Sequence, residues 1–420
     1  MMLGLAWIPA IAAAGGVLAL GPIILDDSLS MGQQVGAETV RTLDGREIAG
    51  TLVAVGDREV TVRTAAGAEK VERTAVRSIA FAAEPPDLMA APGRHVLVTQ
   101  DSSRVAVEGV TIQAGRLQAA TGFGPKVELP LEQVVRLLRP RADQKPADLE
   151  RERQRLGLAR SPQDTLVVAL AAGPWTPVTG ILLALEDGKV RFNYEGTDSV
   201  MDAPAVVIIE MARTGDAAAP EPARAREPAG RLTTRDGSRL SFTALAIAGG
   251  SARVQSASLG ALRIETARLA EVRFSGGERL VYLSSLDPAG VRQTPFFDEA
   301  FPWQRDRAVG GGPIRLGGVA YEKGLGLHAR CELLYHLGGA YRWLTATVGI
   351  DDAVRMGAAE LSILADSKPL LRLRLDRAAP PRPIRLDVQG AAGLTILVDF
   401  VENTFGAGAC VSLGDAALTK

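Results

Sequence analysis

Cysteine and histidine are scarce in this 420-residue chain, with two of the first and three of the second. Two thiols cannot supply a four-thiolate zinc site or a disulfide framework; they are one isolated bridge or two free thiols. Charge of one sign is also lacking: 47 basic and 48 acidic side chains leave a net charge of −1. No field therefore gathers a phosphate backbone, and nucleic acid is not an expected partner. Aromatics supply only 5% of residues. What abounds is glycine (45) and proline (24), which cut a chain into short elements and many turns. At this length several cores are expected, since single cores stop growing at roughly 250 to 300 residues.

The first 27 residues, MMLGLAWIPAIAAAGGVLALGPIILDD, are apolar and uncharged up to Asp26. Small residues around Ala12–Gly16 suit a signal peptidase, but no Lys or Arg forms a positive leading region, and the stretch is long enough to stay as a membrane anchor. The expectation is export to the periplasm, cell surface or medium, with membrane attachment only if this segment is uncleaved.

The middle of the chain repeats. VRTLDGREIAGTLVAVGDREVTVRTAAGAEKVERTAVRSIAF (Val40–Phe81) aligns with RLTTRDGSRLSFTALAIAGGSARVQSASLGALRIETARLAEVRF (Arg231–Phe274). Alternating apolar positions such as Ile48, Leu52, Val60 and Val62, with Asp-Gly turns at Asp44-Gly45 and Asp236-Gly237, give five short strands per copy. Weaker copies begin at His95 and Leu166. Four small β-barrels in series are expected, at 36–82, 94–140, 163–212 and 230–275, resembling SH3-like or Sm-like barrels in architecture only. A peptide groove needs a line of aromatics, and the repeats hold a single Trp, Trp175. Spacer or assembly modules that contact other cell-surface proteins are the expected role. Residues 141–162 form a linker whose segment Ala147–Leu158 has helix-forming, charge-paired spacing, read as a solvated helix. Residues 213–229 form a Pro/Ala linker.

From residue 276 the texture changes. Two of the four Trp and four of the five Tyr lie beyond residue 275, and alternating runs separated by Pro and Gly fit a β-sandwich of seven to nine short strands. YEKGLGLHARCELLYHLGG (Tyr321–Gly339) packs two histidines and a cysteine into nine residues. Its glycines permit a tight turn, after which Cys331, Leu333 and Tyr335 share one strand face. His328 has two readings, structural hydrogen bonding or sugar contact; His336 is a loop residue. Asp351 and Asp352 can cap a turn, contact a ligand or help bind calcium, but adjacent strand residues point to opposite faces and cannot flank one glycosidic bond. Trp303 can stack on a sugar face, with Arg305 or Asp306 bonding hydroxyls, or can fill the core edge. Trp343, in an apolar strand, reads as core.

YLSSLDP, PIRLGGVAYEKGLGLHARCELLYHLGGAYRWLTATVGIDD and the final GDAAL resemble the NPCBM domain, from about Tyr282 to Leu418. The resemblance implies a galactose-binding-like jelly roll over 276–420 and noncatalytic binding of carbohydrate, often galactose-type glycans. The stretch departs from the family where its members carry D-H-A-D-W-A-D-A-x-L: here Ala409–Leu418 lacks that Asp, His and Trp. A jelly roll that has lost sugar affinity, in a structural or protein-interaction protein, is therefore the rival reading. Cys331 and Cys410 both replace common family residues, and early and final jelly-roll strands commonly adjoin. A Cys331–Cys410 disulfide is thus expected, worth on the order of 4 kcal/mol by chain entropy. The whole reads as all-β, tandem barrels followed by a jelly-roll β-sandwich. No segment of about 250 residues remains for a catalytic barrel, no resident metal or cofactor is expected beyond that calcium, and carbohydrate is the expected partner.

Overall fold

The strand pattern of the repeats governs the first two thirds of the structure, a computed structural model that describes residues 38–81, 85–158, 162–169, 174–212, 228–276, 279–294, 301–401 and 408–420. The proposed signal or anchor segment and nearly all of the 213–229 linker lie outside the described residues. Each repeat folds as a five-stranded unit. Unit 1 holds β1 (Glu38–Thr42), β2 (Glu47–Val55), β3 (Glu59–Thr64), β4 (Gly67–Glu72) and β5 (Val76–Ala80). Unit 2 holds β6 (His95–Thr99), β7 (Arg104–Gln113), β8 (Arg116–Thr121), β9 (Val127–Pro130) and β10 (Val134–Leu138). Unit 3 holds β11 (Asp164–Val168), β12 (Thr176–Glu186), β13 (Lys189–Tyr194), β14 (Thr197–Asp202) and β15 (Val206–Glu210). In unit 4 the second strand is split: β16 (Gly230–Thr234), β17 (Arg239–Phe242), β18 (Ala244–Ala248), β19 (Ser251–Ser256), β20 (Gly260–Glu265) and β21 (Leu269–Phe274). A single 3-10 turn precedes the last strand of every unit.

The long second strand bends so that one half pairs with the first strand and the other with the third. In β2 the bend falls at Gly50, where a Cβ would come within 2.4 Å of the Arg63 carbonyl. Only glycine lets the two backbones approach this closely. The last strand folds back on the first, as in β1–β5 and β10–β6.

The units are not beads in series. β5 pairs antiparallel with β21, matching Ile79 to Val272, and β10 pairs the same way with β15, matching Leu137 to Ile209. Second strands meet as well, β2 with β18 and β7 with β12. Units 1 and 4 thus form one pair and units 2 and 3 another, each joined last strand to last strand. β7 meets β17 between the pairs, where Ser238 Oγ accepts from the Ala106 amide at 2.9 Å and Ser103 Oγ from the Ser241 amide at 2.9 Å. One apolar core runs through all four units, from Val40 and Ile79 through Leu117, Phe192 and Phe242 to Val272.

The single described helix, α1 (Pro146–Arg155), differs from the solvated helix expected of its charges. Leu149 is fully buried with Leu88, Val96 and Leu138. Glu150 is bonded to Arg136 at 2.8 Å and to Arg153 at 3.0 Å. Pro146 and Leu149, both in the first turn, are the buried side chains that dock this helix, a signal that its charge pairing masks.

The last third is a two-sheet sandwich built from β22 (Leu280–Tyr282), β23 (Gly290–Gln293), β24 (Gln304–Arg305), β25 (Ile314–Leu316), β26 (Val319–Tyr321), β27 (Gly324–His328), β28 (Cys331–His336), β29 (Trp343–Ile350), β30 (Ala358–Ala365), β31 (Lys368–Asp376), β32 (Arg382–Asp387), β33 (Gly393–Phe400) and β34 (Cys410–Thr419). One sheet runs β24-β27-β34-β29-β32 with β22 on β34; the other runs β23-β28-β33-β30-β31; β25–β26 is a separate hairpin. Leu325, Leu327, Leu333, Tyr335, Ile396 and Leu413 meet between the sheets.

Units 1 and 4 grip this sandwich by charge. Asp415 accepts from Arg273 with both oxygens, at 2.7 and 2.8 Å, while Arg77 donates to the Asp415 carbonyl at 2.6 Å and to Thr345 Oγ1 at 3.1 Å. Glu322 is bonded to Arg231 and, at 2.6 Å, to Arg239. Leu43, Leu280 and Ala417 bury an apolar patch beside them. Burial alone would lower the Arg273 pKa, but Glu271 and Asp415 outweigh it and hold the guanidinium well above its usual range. Burial likewise works against the Glu322 carboxylate, and Arg231, Arg239 and Arg273 win, holding its pKa below the usual range. Asp415→Ala, which leaves Arg273 with Glu271 alone and takes the carboxylate from beside Arg77, is expected to cost about 2 kcal/mol, read as a lower urea midpoint and faster protease cleavage ahead of Leu280. Because the Glu322 pKa is depressed on folding, its contribution is complete above about pH 4.3 and fades as pH falls through the lower folded value; a midpoint flat in that range would contradict this.

Candidate carbohydrate-binding site

β27 sets the geometry. Leu325 and Leu327 point into the sandwich, so Gly324, Gly326 and His328 face outward. The first two are covered: a Cβ on Gly326 would meet the Arg307 carbonyl at 2.3 Å. His328 emerges past this cover. Its ring lies on Phe301, centroids 4.4 Å apart and planes 27° from parallel, and Nδ1 lies 2.7 Å from the Ala329 carbonyl. His328 is 7% exposed and Phe301 36%, so the pair presents the Phe301 ring to solvent and buries the imidazole behind it.

β24 pairs with β27, opposing Gln304 to Gly326, and this sets Trp303 on the same end of the sheet. Trp303 is half-buried against the sandwich core, and the Arg305 guanidinium lies 5.0 Å from its ring centroid. Arg305 is held by Asp287 at 2.7 Å. Phe301 and Asp287 were not singled out from the sequence; the FPWQR run was the available signal for the first, and nothing local marked the second. Asp306 lies towards the other end of β27, in a left-handed turn with φ +57°, accepting from the Gly324 amide at 3.0 Å and pairing with Lys323 at 2.8 Å.

The two aspartates after β29 are occupied. Asp351, 1% exposed, accepts from Ser412 Oγ at 2.7 Å and from the Ala353 amide at 3.0 Å. Asp352 accepts from the Gly317 and Gly318 amides at 3.1 and 2.7 Å and pairs with Arg377 at 3.2 Å. Both bind the β25–β26 hairpin and the loop after β29 to the sheet, and they do not meet Trp303. Among the described residues no group of three or more His, Cys, Asp and Glu side chains is arranged to hold a metal ion, and no helix is long and apolar enough to cross a membrane. Trp343 is half-buried, with the Arg385 guanidinium 3.7 Å from its ring centroid.

The expected Cys331–Cys410 disulfide is not formed; both are free thiols. The chain switches sheets at Ala329–Arg330. The early strand beside β34 is β27, where Cys410 faces His328, while Cys331 starts β28 in the opposite sheet, facing Val398. Burial pushes the Cys331 thiol up to about 12 against a lowering hydrogen bond from Gln293, and burial followed by Asp351 raises Cys410.

Residues 279–419 match the family model of the NPCBM/NEW2 domain. The C-terminal module is an NPCBM domain. The chain is 41% identical over 76 residues to a protein of Renibacterium salmoninarum named "Putative endo-alpha-N-acetylgalactosaminidase". That match covers 16% of this chain and 5% of the other, so the chain spans far less than two thirds of its relative. Among solved structures, a CBM51 module of Clostridium perfringens in complex with methyl-galactose is 24% identical, covering 33% of this chain and 99% of the other at a TM-score of 0.31. The tandem CBM51 modules of a family 98 glycoside hydrolase from Streptococcus pneumoniae are 11% identical, covering 91% and 87% at a TM-score of 0.30.

Within the NPCBM domain the thiols report directly on packing. Iodoacetamide applied to the native protein at pH 8 is expected to label Cys410 before Cys331, whose thiolate is scarce that far below its pKa, with both labelled on unfolding without reductant. Two thiols that stay unlabelled after unfolding would mean a bridge. Asp351→Ala, which strands the Ser412 hydroxyl, is expected to cost about 2 kcal/mol, read as a lower thermal midpoint.

Proposed function

We propose that this chain is a noncatalytic carbohydrate-binding protein whose NPCBM domain takes a galactose-type glycan or polysaccharide at the Phe301–His328–Trp303 end of its sheet. The observation that carries this reading is the Phe301 ring, exposed and backed by His328, beside Trp303 under Arg305 in a domain of a carbohydrate-binding family. An exposed ring gives the apolar face of a pyranose a flat partner. The Arg305–Asp287 pair supplies donors and acceptors for hydroxyls at the rim.

Export, through the apolar first 27 residues, belongs to the same reading, as does placement at the periplasm, cell surface or medium. The four repeat units then act as an assembly platform. Their arginines hold the NPCBM domain at Asp415 and Glu322, while His328 sits four residue pairs along β27 from Gly324, which faces Gly414. At about 3.3 Å per residue this is roughly 13 Å.

A second reading has one observation in its favour. The terminal segment lacks the family's His and Trp, and the one Asp of the pattern that it keeps, Asp415, serves the dock to units 1 and 4. A segment given over to docking fits a structural or protein-interaction protein whose jelly roll no longer binds sugar.

A glycan array probed with the full chain separates the two. Binding to galactosides, weakened about tenfold or more by Phe301→Ala and by Trp303→Ala, is the expected result. Silence across galactosides and acidic polysaccharides, with the protein folded, would favour the second reading.

A further inference from the structure

A polar side chain stands on the inner face of the sandwich at the end that carries Phe301. β23 runs along β28 with Val291 opposite Leu333 and Gln293 opposite Cys331. Cross-strand partners share a face, and Leu333 and Cys331 are fully buried in the core. Gln293 is therefore aimed inward, towards the other sheet. A polar group so placed is costly unless it is bonded. Its backbone is fixed by the ladder and by the next residue, the Thr294 amide donating to the Arg330 carbonyl at 3.1 Å, so the side chain leaves a rigid base.

The Gln293 amide reaches from one sheet to the chain entering the other. Nε2 donates to the carbonyl of Phe301 at 2.9 Å, two residues before Trp303 and three before β24 begins. The same side chain is hydrogen-bonded to the Cys331 thiol. Only the NH2 end of a glutamine amide donates to a carbonyl, so the Phe301 bond fixes which way the amide faces. Among the described residues the Phe301 main chain makes no other hydrogen bond. Phe301 is 36% exposed and gains little from burial. Its ring contact with His328 and this one bond hold it in place.

We infer that Gln293 is a positioning residue of the candidate sugar site: from the opposite sheet it holds the Phe301 backbone so that the ring lies on His328 before a ligand arrives. This rests on the reading of that end as the sugar site. A surface formed in advance spares a ligand the cost of ordering it, so Gln293 strengthens binding through Phe301 rather than by a contact of its own.

Nuclear magnetic resonance of the full chain with labelled histidine reads the ring's position without ligand. A ring stacked at 4.4 Å shifts the His328 imidazole protons upfield, and the chain holds only three histidines. His328→Gln assigns the signal, and Phe301→Leu shows where it falls without the ring. Gln293→Met, of similar length and without a donor, is expected to move it towards the Phe301→Leu position, with His95 and His336 unmoved to show an intact fold. Calorimetric titration with methyl-galactoside is expected to show affinity about fivefold weaker in Gln293→Met. A His328 signal that keeps its wild-type position in Gln293→Met would overturn the inference, as would a displaced signal with unchanged affinity. A wild-type chain that binds no galactoside, with the signal displaced in Gln293→Met, would overturn the sugar reading and leave Gln293 as the anchor of the ring.

Discussion

The antiparallel contact between β5 and β21 is the constraint on which the rest of this structure depends. A last strand left at the edge of a curled five-stranded unit presents a row of unpaired amides and carbonyls, which proteins cover or disarm. Here each last strand covers another, β5 with β21 and β10 with β15. The pairing is nested, because units 2 and 3 are closed off between the first and fourth copies. It also places Arg77 of β5 and Arg273 of β21 side by side, since Ser78 faces Arg273 across the ladder. That juxtaposition creates the cationic seat for Asp415.

Charge at this seat is organised rather than abundant. A net charge of −1 over 420 residues gives no hint of it. Arg77, Arg231, Arg239 and Arg273 converge from two units, and Glu322 and Asp415 from the sandwich. Pairs of this kind stabilise only with good geometry and satisfied neighbours, which the two oxygens of Asp415 and the added bond to Thr345 provide. The same module keeps its aromatic end clear of that seat along β27, so one strand links a docking function to a candidate binding function.

Much of this was legible in the sequence, and the parts that were not share a physical reason. Period-two alternation marked the strands of the repeats, and Asp-Gly turns marked their hairpins, because both are local. The KGLGLHA and TVGIDD blocks carried the sandwich through their resemblance to the NPCBM family. Pairing between units is not local: nothing in VRSIA or LAEVRF says that these strands meet. The Cys331–Cys410 bridge failed on a sheet switch two residues long, which turned a neighbouring strand into a facing one. Asp351 and Asp352 read as turn caps or as ligand contacts; the cap is local, Asp351 accepting from the Ala353 amide, while their other partners, Ser412 and the Gly317-Gly318 turn, lie at least thirty residues away in sequence. The helix at 146–155 was located by composition, while its docking through Leu149 was hidden by the charges around it.

Hydrogen exchange measured residue by residue on β5 and β21 tests the central claim most directly. If units 1 and 4 are joined last strand to last strand, the amides of Ile79, Phe81 and Val272 that bridge the two strands exchange as slowly as those in the interior of β1 and β16, opening only with the whole core. Fast exchange on the facing sides of β5 and β21, with β1 and β16 still protected, would show two free edges and four independent units, and would contradict the account.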